Sequence, residues 1–287
     1  MPTKIEKDSI TGTDTTGHEW DGLKELNTPL PKWWLWTFYA TIVWGIAFVI
    51  IYPSFPYWRG TSGWIAREAI VAEMAEVRAQ QEPMLARLRE ATPAAIAADP
   101  ELRAFAVAGG RVAFANNCAG CHGAGGQGAQ GGYPALVDDD WIWGGSLEAI
   151  QHTIRHGIRS NESDEQRQSM MPRFGADGLL TPAQINDVTE HVLSLTNRAT
   201  DAAAAGRGAE IFAEQCASCH GERGEGNREF GGPRLNDQVW LYGSSRDQIA
   251  AFIRNPRMGV MPSWQGRLDP AVINMLTVYV HALGGGE

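Results

Sequence analysis

Every cysteine in the chain belongs to one of two copies of a single motif. The four thiols fall as Cys118-Ala-Gly-Cys121-His122 and Cys216-Ala-Ser-Cys219-His220. Two thiols one helical turn apart reach the two vinyl groups of a haem and form thioethers, and the adjacent histidine is then placed to bind the iron. Two such motifs imply two covalently bound haem c groups. Cys118, Cys121, Cys216 and Cys219 would attach them, and His122 and His220 would be axial ligands. A zinc site needs its Cys-x-x-Cys pairs about 15–20 residues apart, far closer than Cys121 and Cys216 stand. A thioredoxin-like thiol pair needs a neighbouring strand–helix unit, and no β-rich segment flanks either motif.

An electron-transfer haem needs a sixth ligand, and a thioether sulfur raises its potential relative to a second histidine. Of eight methionines, Met171 and Met261 stand before a proline at equivalent places after the two motifs, each far enough along to return over a haem. Met170 and Met258 lie nearby but lack that context. The remaining histidines carry weaker signals. His152 and His156 stand four apart on an expected helix, a spacing that can bind metal, but the second motif has no matching pair, so they read as surface or packing residues. His191 and His281 read as structural, and His18 carries no signal.

Two patterns are decoys. Gly126-Gln127-Gly128-Ala129-Gln130-Gly131 matches the dinucleotide fingerprint, yet it follows a Cys-x-x-Cys-His motif rather than a strand. It reads as a loop passing close to a haem edge, where glycine permits tight turns. Asp138-Asp139-Asp140 reads as a solvated acidic turn.

The elements that must position these residues repeat. Tyr133-Pro134-Ala135-Leu136 aligns with Gly232-Pro233-Arg234-Leu235, and Trp141-Ile142-Trp143-Gly144 with Trp240-Leu241-Tyr242-Gly243. Each copy then runs through a helix holding Ile154 or Ile253, a Met-Pro pair and a last helix. Thr181-Pro182-Ala183-Gln184 is a capping box and Asp269-Pro270 a similar cap. Apolar residues follow at Ile185, Val188, Val192 and Leu195, and with the same spacing at Ile273, Leu276, Val280 and Leu283, painting one face of each helix. An Ala/Gly-rich linker joins the copies.

Ahead of the repeats, Trp33 to Tyr52 carry no charge. As a helix this run is about 30 Å long, the thickness of a bilayer's hydrocarbon core. Trp33, Trp34 and Trp36 at one end and Tyr52, Phe55, Tyr57 and Trp58 at the other form interfacial belts. A cleaved signal peptide fails on the length of both the polar lead and the run. Lys24 and Lys32 before the span balance Arg59 and Arg67 after it, so loop charge sets no orientation. Attachment of haem c, which takes place on the outer face, puts residues 1–32 inside and 59–287 outside. Residues 64–92 read as an amphipathic helix that Pro83 and Pro93 interrupt or end. The expected fold is mainly α, a single N-terminal transmembrane helix followed by two tandem class I cytochrome c-like domains. Its divisions are a cytoplasmic tail (1–32), the span (33–52), a stalk (53–102), domain 1 (103–198), a linker (199–207) and domain 2 (208–287). A net charge of −9 argues against a nucleic-acid partner and suits a basic protein partner.

With these residues in view, the chain resembles the dihaem subunit, of CcoP or FixP type, of cbb3-type cytochrome c oxidases. The resemblance runs from Trp20-Asp21-Gly22-Leu23-Lys24-Glu25-Leu26-Asn27-Thr28-Pro29-Leu30-Pro31 and Trp33-Trp34 before the span, through Tyr52-Pro53. It continues over Asp138-Asp139-Asp140-Trp141 and Trp143-Gly144-Gly145 to Asn236-Asp237-Gln238 and Trp240-Leu241-Tyr242-Gly243. It implies a subunit of the bacterial inner membrane with periplasmic haem domains. Such a subunit takes electrons from a soluble or membrane-bound cytochrome c. It passes them, with a monohaem cytochrome c subunit, to a haem–copper catalytic subunit that reduces oxygen. This chain shows no copper-ligand cluster or haem b site of its own, so it is expected to relay electrons within the oxidase and not to turn over oxygen. The resemblance also implies crossed ligation, His122 with Met261 and His220 with Met171. A free-standing anchored dihaem cytochrome, a dihaem peroxidase and a gas sensor are the other readings; the last two need an open or displaceable iron ligand.

Overall fold

The computed structural model describes residues 4–55 and 57–287. They fall into two compact units, residues 1–80 and 81–287, each taken by itself below.

In the first unit, β1 (Thr15–Trp20) and β2 (Leu23–Leu26) pair as an antiparallel hairpin. Asp21 (φ 49°) and Gly22 (φ 86°) form its two-residue turn. A turn with both central residues left-handed matches the twist of the strands it joins. The sequence marks this stretch only as a polar tail, without a strand pair. α1 (Lys32–Ile51) follows and is long and apolar enough to cross a membrane. None of its residues is buried, and most of its large apolar side chains between Trp33 and Ile51 are exposed. The free carbonyls at its end are taken by Trp58 Nε1, which donates to Val49 O at 2.8 Å, and by the amides of Thr61 and Ser62, which donate to Ile50 and Ile51.

α2 (Ala66–Glu90) runs unbroken through Pro83, so this proline neither ends nor splits the helix. From Gln81 onward α2 belongs to the second unit. Leu88 is fully buried there, and Asn274 Nδ2 donates to its carbonyl at 2.7 Å. α3 (Pro93–Ala98) and α4 (Pro100–Asn117) each start with proline after a side-chain cap, Thr92 and Asp99. α5 (Ala119–His122), α6 (Leu147–His156) and α7 (Pro182–Ser194) complete the first repeat. α8 (Ala202–Gln215), α9 (Ala217–His220), α10 (Arg246–Arg254) and α11 (Pro270–His281) make up the second. The alanine-rich stretch between the repeats is the first turn of α8, with Asp201 accepting from Ala203 N and Ala204 N. Alanine is the best helix former, and a capping aspartate before it suffices to start the turn.

The last helices are exchanged. α7, from the first repeat, packs on α8 and α10 of the second, while α11, from the second, packs on α4 and α6 of the first. Three clusters result among the described residues, and two of them adjoin the motif cysteines. One joins Phe174, Ile185, Val188 and Val192 to Phe212, Ile249 and Ile253; the other joins Phe114, Ile150 and Ile154 to Ile273, Leu276 and Val280. The two crossings are alike in detail. A Cβ on Gly208 would strike the Asp187 carbonyl and the His191 side chain. One on Gly110 would strike the equivalent Met275 carbonyl and Tyr279 side chain. Thr189 and Thr277, both fully buried, turn their hydroxyls back to Ile185 O and Ile273 O, satisfying the only polar groups they bring to the contact. Glu190 of α7 is 1% exposed and accepts from Arg246 Nε at 2.8 Å and from the amides of Thr200 and Asp201. These donors, the arginine foremost, hold its carboxyl down at about 2. Arg207 adds a two-bonded pair with Asp187.

Replacing Gly208 with leucine forces α7 and α8 apart and is expected to cost about 1–3 kcal/mol. Gly206→Ala, on the same helix where a Cβ meets nothing, is expected to be neutral or to stabilise by about 0.5–1 kcal/mol. Denaturant titrations of both variants followed by far-ultraviolet dichroism measure the difference, and equal midpoints would contradict the crossing.

Candidate haem sites

Each Cys-x-x-Cys-His motif is built by a helix that runs into it. α4 ends where Cys118 donates its amide to Phe114 O, and α8 where Cys216 donates to Phe212 O. A single short turn, α5 or α9, then carries the second cysteine and the histidine. It closes on Gly123 (φ 79°) or Gly221 (φ 78°), a backbone that only glycine takes without strain. No disulfide joins any of the four cysteines. Burial pushes Cys118 and Cys216 up to about 11, so they are protonated at neutral pH.

The loop behind each histidine folds the same way twice. Gly128 N donates to His122 O and Leu136 N to Gly126 O; Gly226 N donates to His220 O and Leu235 N to Gly224 O. The result is one decisive contact per site. His122 Nδ1 stands 3.0 Å from Pro134 O, and His220 Nδ1 stands 2.9 Å from Pro233 O. A carbonyl only accepts, so Nδ1 must carry the proton and Nε2 keeps its lone pair. Burial lowers the pKa of both rings, which keeps them neutral. A neutral imidazole with its distal nitrogen held by a backbone acceptor is the form that binds metal. The fingerprint-like Gly126–Gly131 stretch is this loop, and no strand precedes it.

The second site opens into a cavity. Cys216, His220 and Met171 line it together with Val188, Phe212 and Ile249. Pro134, Ala135 and Asp140 of the first repeat wall its other side. At the first site, Cys118, Met261, Trp141 and Trp264 pack against the cluster of Phe114, Ile154 and Leu276. Thus Met171 is brought to the second motif and Met261 to the first. Met170 is 78% exposed. Met261 is held from both sides by Ile158, with Ile158 N donating to Met261 O at 2.9 Å and Met261 N to Ile158 O at 3.0 Å.

The donor set fits haem c at both motifs. Arg198 supplies a further point of fit at the second. Its guanidinium lies over the ring of Trp240, which lines the cavity, at 5.5 Å. Its Nη2 is buried without a hydrogen-bond partner, a demand that an anionic group such as a haem propionate meets. Asp140 departs from the solvated reading of the acidic turn. It is half-buried, and burial, with Asp237 and Asp138 nearby, raises its carboxyl to about 6.

Three models of known families match. Residues 12–59 match the N-terminal domain of cytochrome oxidase-cbb3, FixP; residues 106–196 match cytochrome c; and residues 203–280 match cytochrome c oxidase, cbb3-type, subunit III. The FixP subunit of the cbb3-type oxidase of Azorhizobium caulinodans is 50% identical over 98% of this chain and 96% of its own length. A Bradyrhizobium FixP is 49% identical and the CcoP subunit of Cereibacter sphaeroides 47%, each over 100% of both chains. The chain belongs to the FixP/CcoP family. It is therefore a membrane-associated subunit of a cbb3-type cytochrome c oxidase, with one N-terminal apolar helix and two cytochrome c domains.

In this FixP/CcoP chain the two repeats meet through equivalent residues. Trp143 of the first lies where a Cβ on Gly231 of the second would be, and Tyr242, its counterpart, lies against Gly132. Gly131 N donates to Leu241 O at 2.9 Å across the same seam. Sequence reasoning aligned Trp143 with Tyr242 but had no signal that each touches the other repeat. Tyr242 also lines the second cavity while its hydroxyl accepts from Gly259 N at 3.1 Å, two residues before Met261, so one side chain ties that cavity to the loop that carries Met261. Tyr242→Phe removes that acceptor, and exchange of the Gly259 amide with deuterium is expected to speed up about 5–10-fold, matching about 1 kcal/mol for one hydrogen bond. Unchanged exchange would show that the hydroxyl does not hold this loop.

Proposed function

We propose that this subunit binds two haem c groups covalently and relays electrons, on the outer side of the membrane, toward the oxygen-reducing subunit of its oxidase. The observation that carries the reading is the second cavity, where Cys216, His220 and Met171 converge although Met171 comes from the other repeat. When bound, haem iron supplies reversible one-electron transfer.

The chain's own residues divide the work. Cys118 and Cys121, and Cys216 and Cys219, fix each haem through thioethers. His122 and His220 present Nε2 because Pro134 O and Pro233 O hold the proton on Nδ1. Ligation is crossed, Met261 serving the His122 site and Met171 the His220 site, in keeping with the clusters each joins. A histidine and a methionine at each iron would leave no position open to oxygen, which suits a relay and not a reductase or peroxidase. The electrons come from a soluble or membrane-bound cytochrome c and leave, with a monohaem cytochrome c subunit, toward a haem–copper catalytic subunit. α1 (Lys32–Ile51) spans the bacterial inner membrane with the hairpin inside and the repeats in the periplasm.

Crossed ligation is tested by Met171→His in two backgrounds, one intact and one with Cys216 and Cys219 replaced by alanine so that only the first haem remains. The substitution is expected to lower the reduction potential of one haem in the intact chain and to leave the first-haem-only chain unchanged. A shift in the latter would assign Met171 to His122 instead. The relay role is tested by oxygen uptake, with reduced cytochrome c as donor, by what co-purifies with the tagged chain in mild detergent. Cyanide-sensitive uptake with b-type haem and copper is expected; two c-type haems alone and no uptake would leave an independent carrier.

A further inference from the structure

His152 and His156 were read from sequence as packing or surface residues, and the fold adds a third group to them. They stand one turn apart on α6 with ring centroids 4.7 Å apart. The loop after α6 returns Glu165 to the same place, its Oε2 3.6 Å from His156 Nε2. One ligand atom from each of the three lies within 4.8 Å of the others. A tetrahedral zinc-type centre, with bonds of about 2.0–2.2 Å, spaces its ligand atoms about 3.4 Å apart. The cluster is thus close to that size before any ion draws it in.

Three further features separate this cluster from a chance meeting of polar side chains. The first is the partner of His156, which is 7% exposed: its Nδ1 stands 2.8 Å from Ser163 Oγ, leaving Nε2 toward Glu165. Metal-bound histidines characteristically give their other nitrogen to such a partner. The second is the loop, which is fixed by backbone pairing. Arg167 N donates to Gly157 O and Arg159 N to Arg167 O, each at 3.0 Å, and Arg167 Nε adds a bond to Thr153 Oγ1. The third is the second repeat, where the aligned positions are Ala251 of α10 and Asn255 just after it. The same helix packs there without histidines, so the fold does not require them.

We propose that His152, His156 and Glu165 form a binding site for one divalent transition ion of the zinc type, outside the haem sites. Two imidazoles and a carboxylate leave a fourth position to water, the pattern of an open rather than a closed site. His152 Nε2 now stands 2.9 Å from the carbonyl of Glu165, and binding would turn that ring toward the ion. The site also has a mechanical connection. His156 precedes Gly157 and Ile158, and Ile158 is the residue that pairs with Met261 in both directions. An ion here stiffens the segment that positions the methionine of the first haem site.

The test uses the full-length, haem-loaded chain in detergent, without a polyhistidine tag and stripped with a chelator, titrated with zinc chloride by calorimetry. His152→Gln and Glu165→Gln are both changes at accessible side chains, and unaltered visible spectra verify that they fold. Wild type is expected to take up one zinc ion that each variant binds at least 10-fold more weakly. Ser163→Ala, which removes a hydroxyl that meets both His156 Nδ1 and the Glu165 amide, is expected to weaken binding about 10-fold. Zinc should also slow deuterium exchange at Ile158 and Met261 in wild type and not in Glu165→Gln. No saturable uptake by wild type, or variants that titrate as wild type does, overturns the proposal.

Discussion

The structure of the second unit depends on two places where a helix passes over another at a glycine. Gly110 and Gly208 let the backbones of α4 and α8 come against the carbonyls of Met275 and Asp187, on helices that the opposite repeats supply. Backbone contact of that kind cannot be approximated by a smaller side chain, because a single Cβ already overlaps. The exchange of α7 and α11 rests on these two contacts, and the placement of Met171 and Met261 follows from it, since each leads into the helix that crosses over. Side-chain pairs then secure the exchange on the second-motif side, with Glu190 and Asp187 of α7 held by Arg246 and Arg207.

At each motif the same logic works on a shorter scale. A glycine-rich loop turns under the histidine and offers a proline carbonyl to Nδ1. A proline has no amide hydrogen to give to a ladder, but its carbonyl is unaffected and its fixed φ holds that oxygen steady. The imidazole tautomer is set by backbone alone at both sites, so it does not depend on any side chain that could titrate. The two sites differ in their surroundings. The second includes Asp140 from the first repeat, a carboxyl raised to about 6, together with the stacked Arg198.

What could be read from the sequence was what is local. The cysteine motifs, the uncharged span, the Thr181–Gln184 capping box and the apolar faces of the last helices are all short-range patterns, and each has its place in the structure. The partner of each last helix could not be read, because Ile185, Val188 and Val192 repeat the spacing of Ile273, Leu276 and Val280. Identical stripes fit either cluster, and only three-dimensional packing chooses. The hairpin was passed over even though Asp21-Gly22 is a strong turn signal. It was obscured by polar flanks with no clean alternation. Pro83 was over-read as a break. Glu165 could not have been joined to the two histidines by spacing, since a loop and not a helix returns it.

The exchanged helices bear on how such a chain arises and whether it can be divided. Two tandem copies suggest a duplicated ancestor that once stood alone, but neither present half is that ancestor. A polypeptide cut before Ala202 would yield one fragment with Cys118, Cys121 and Met171, and another with Cys216, Cys219 and Met261. In each, the cysteines belong to one cluster and the methionine to the other. The fragments would have to find each other to fold, as subunits of an obligate heterodimer do. Duplication here has become mutual dependence, and loss of either copy would cost the protein both.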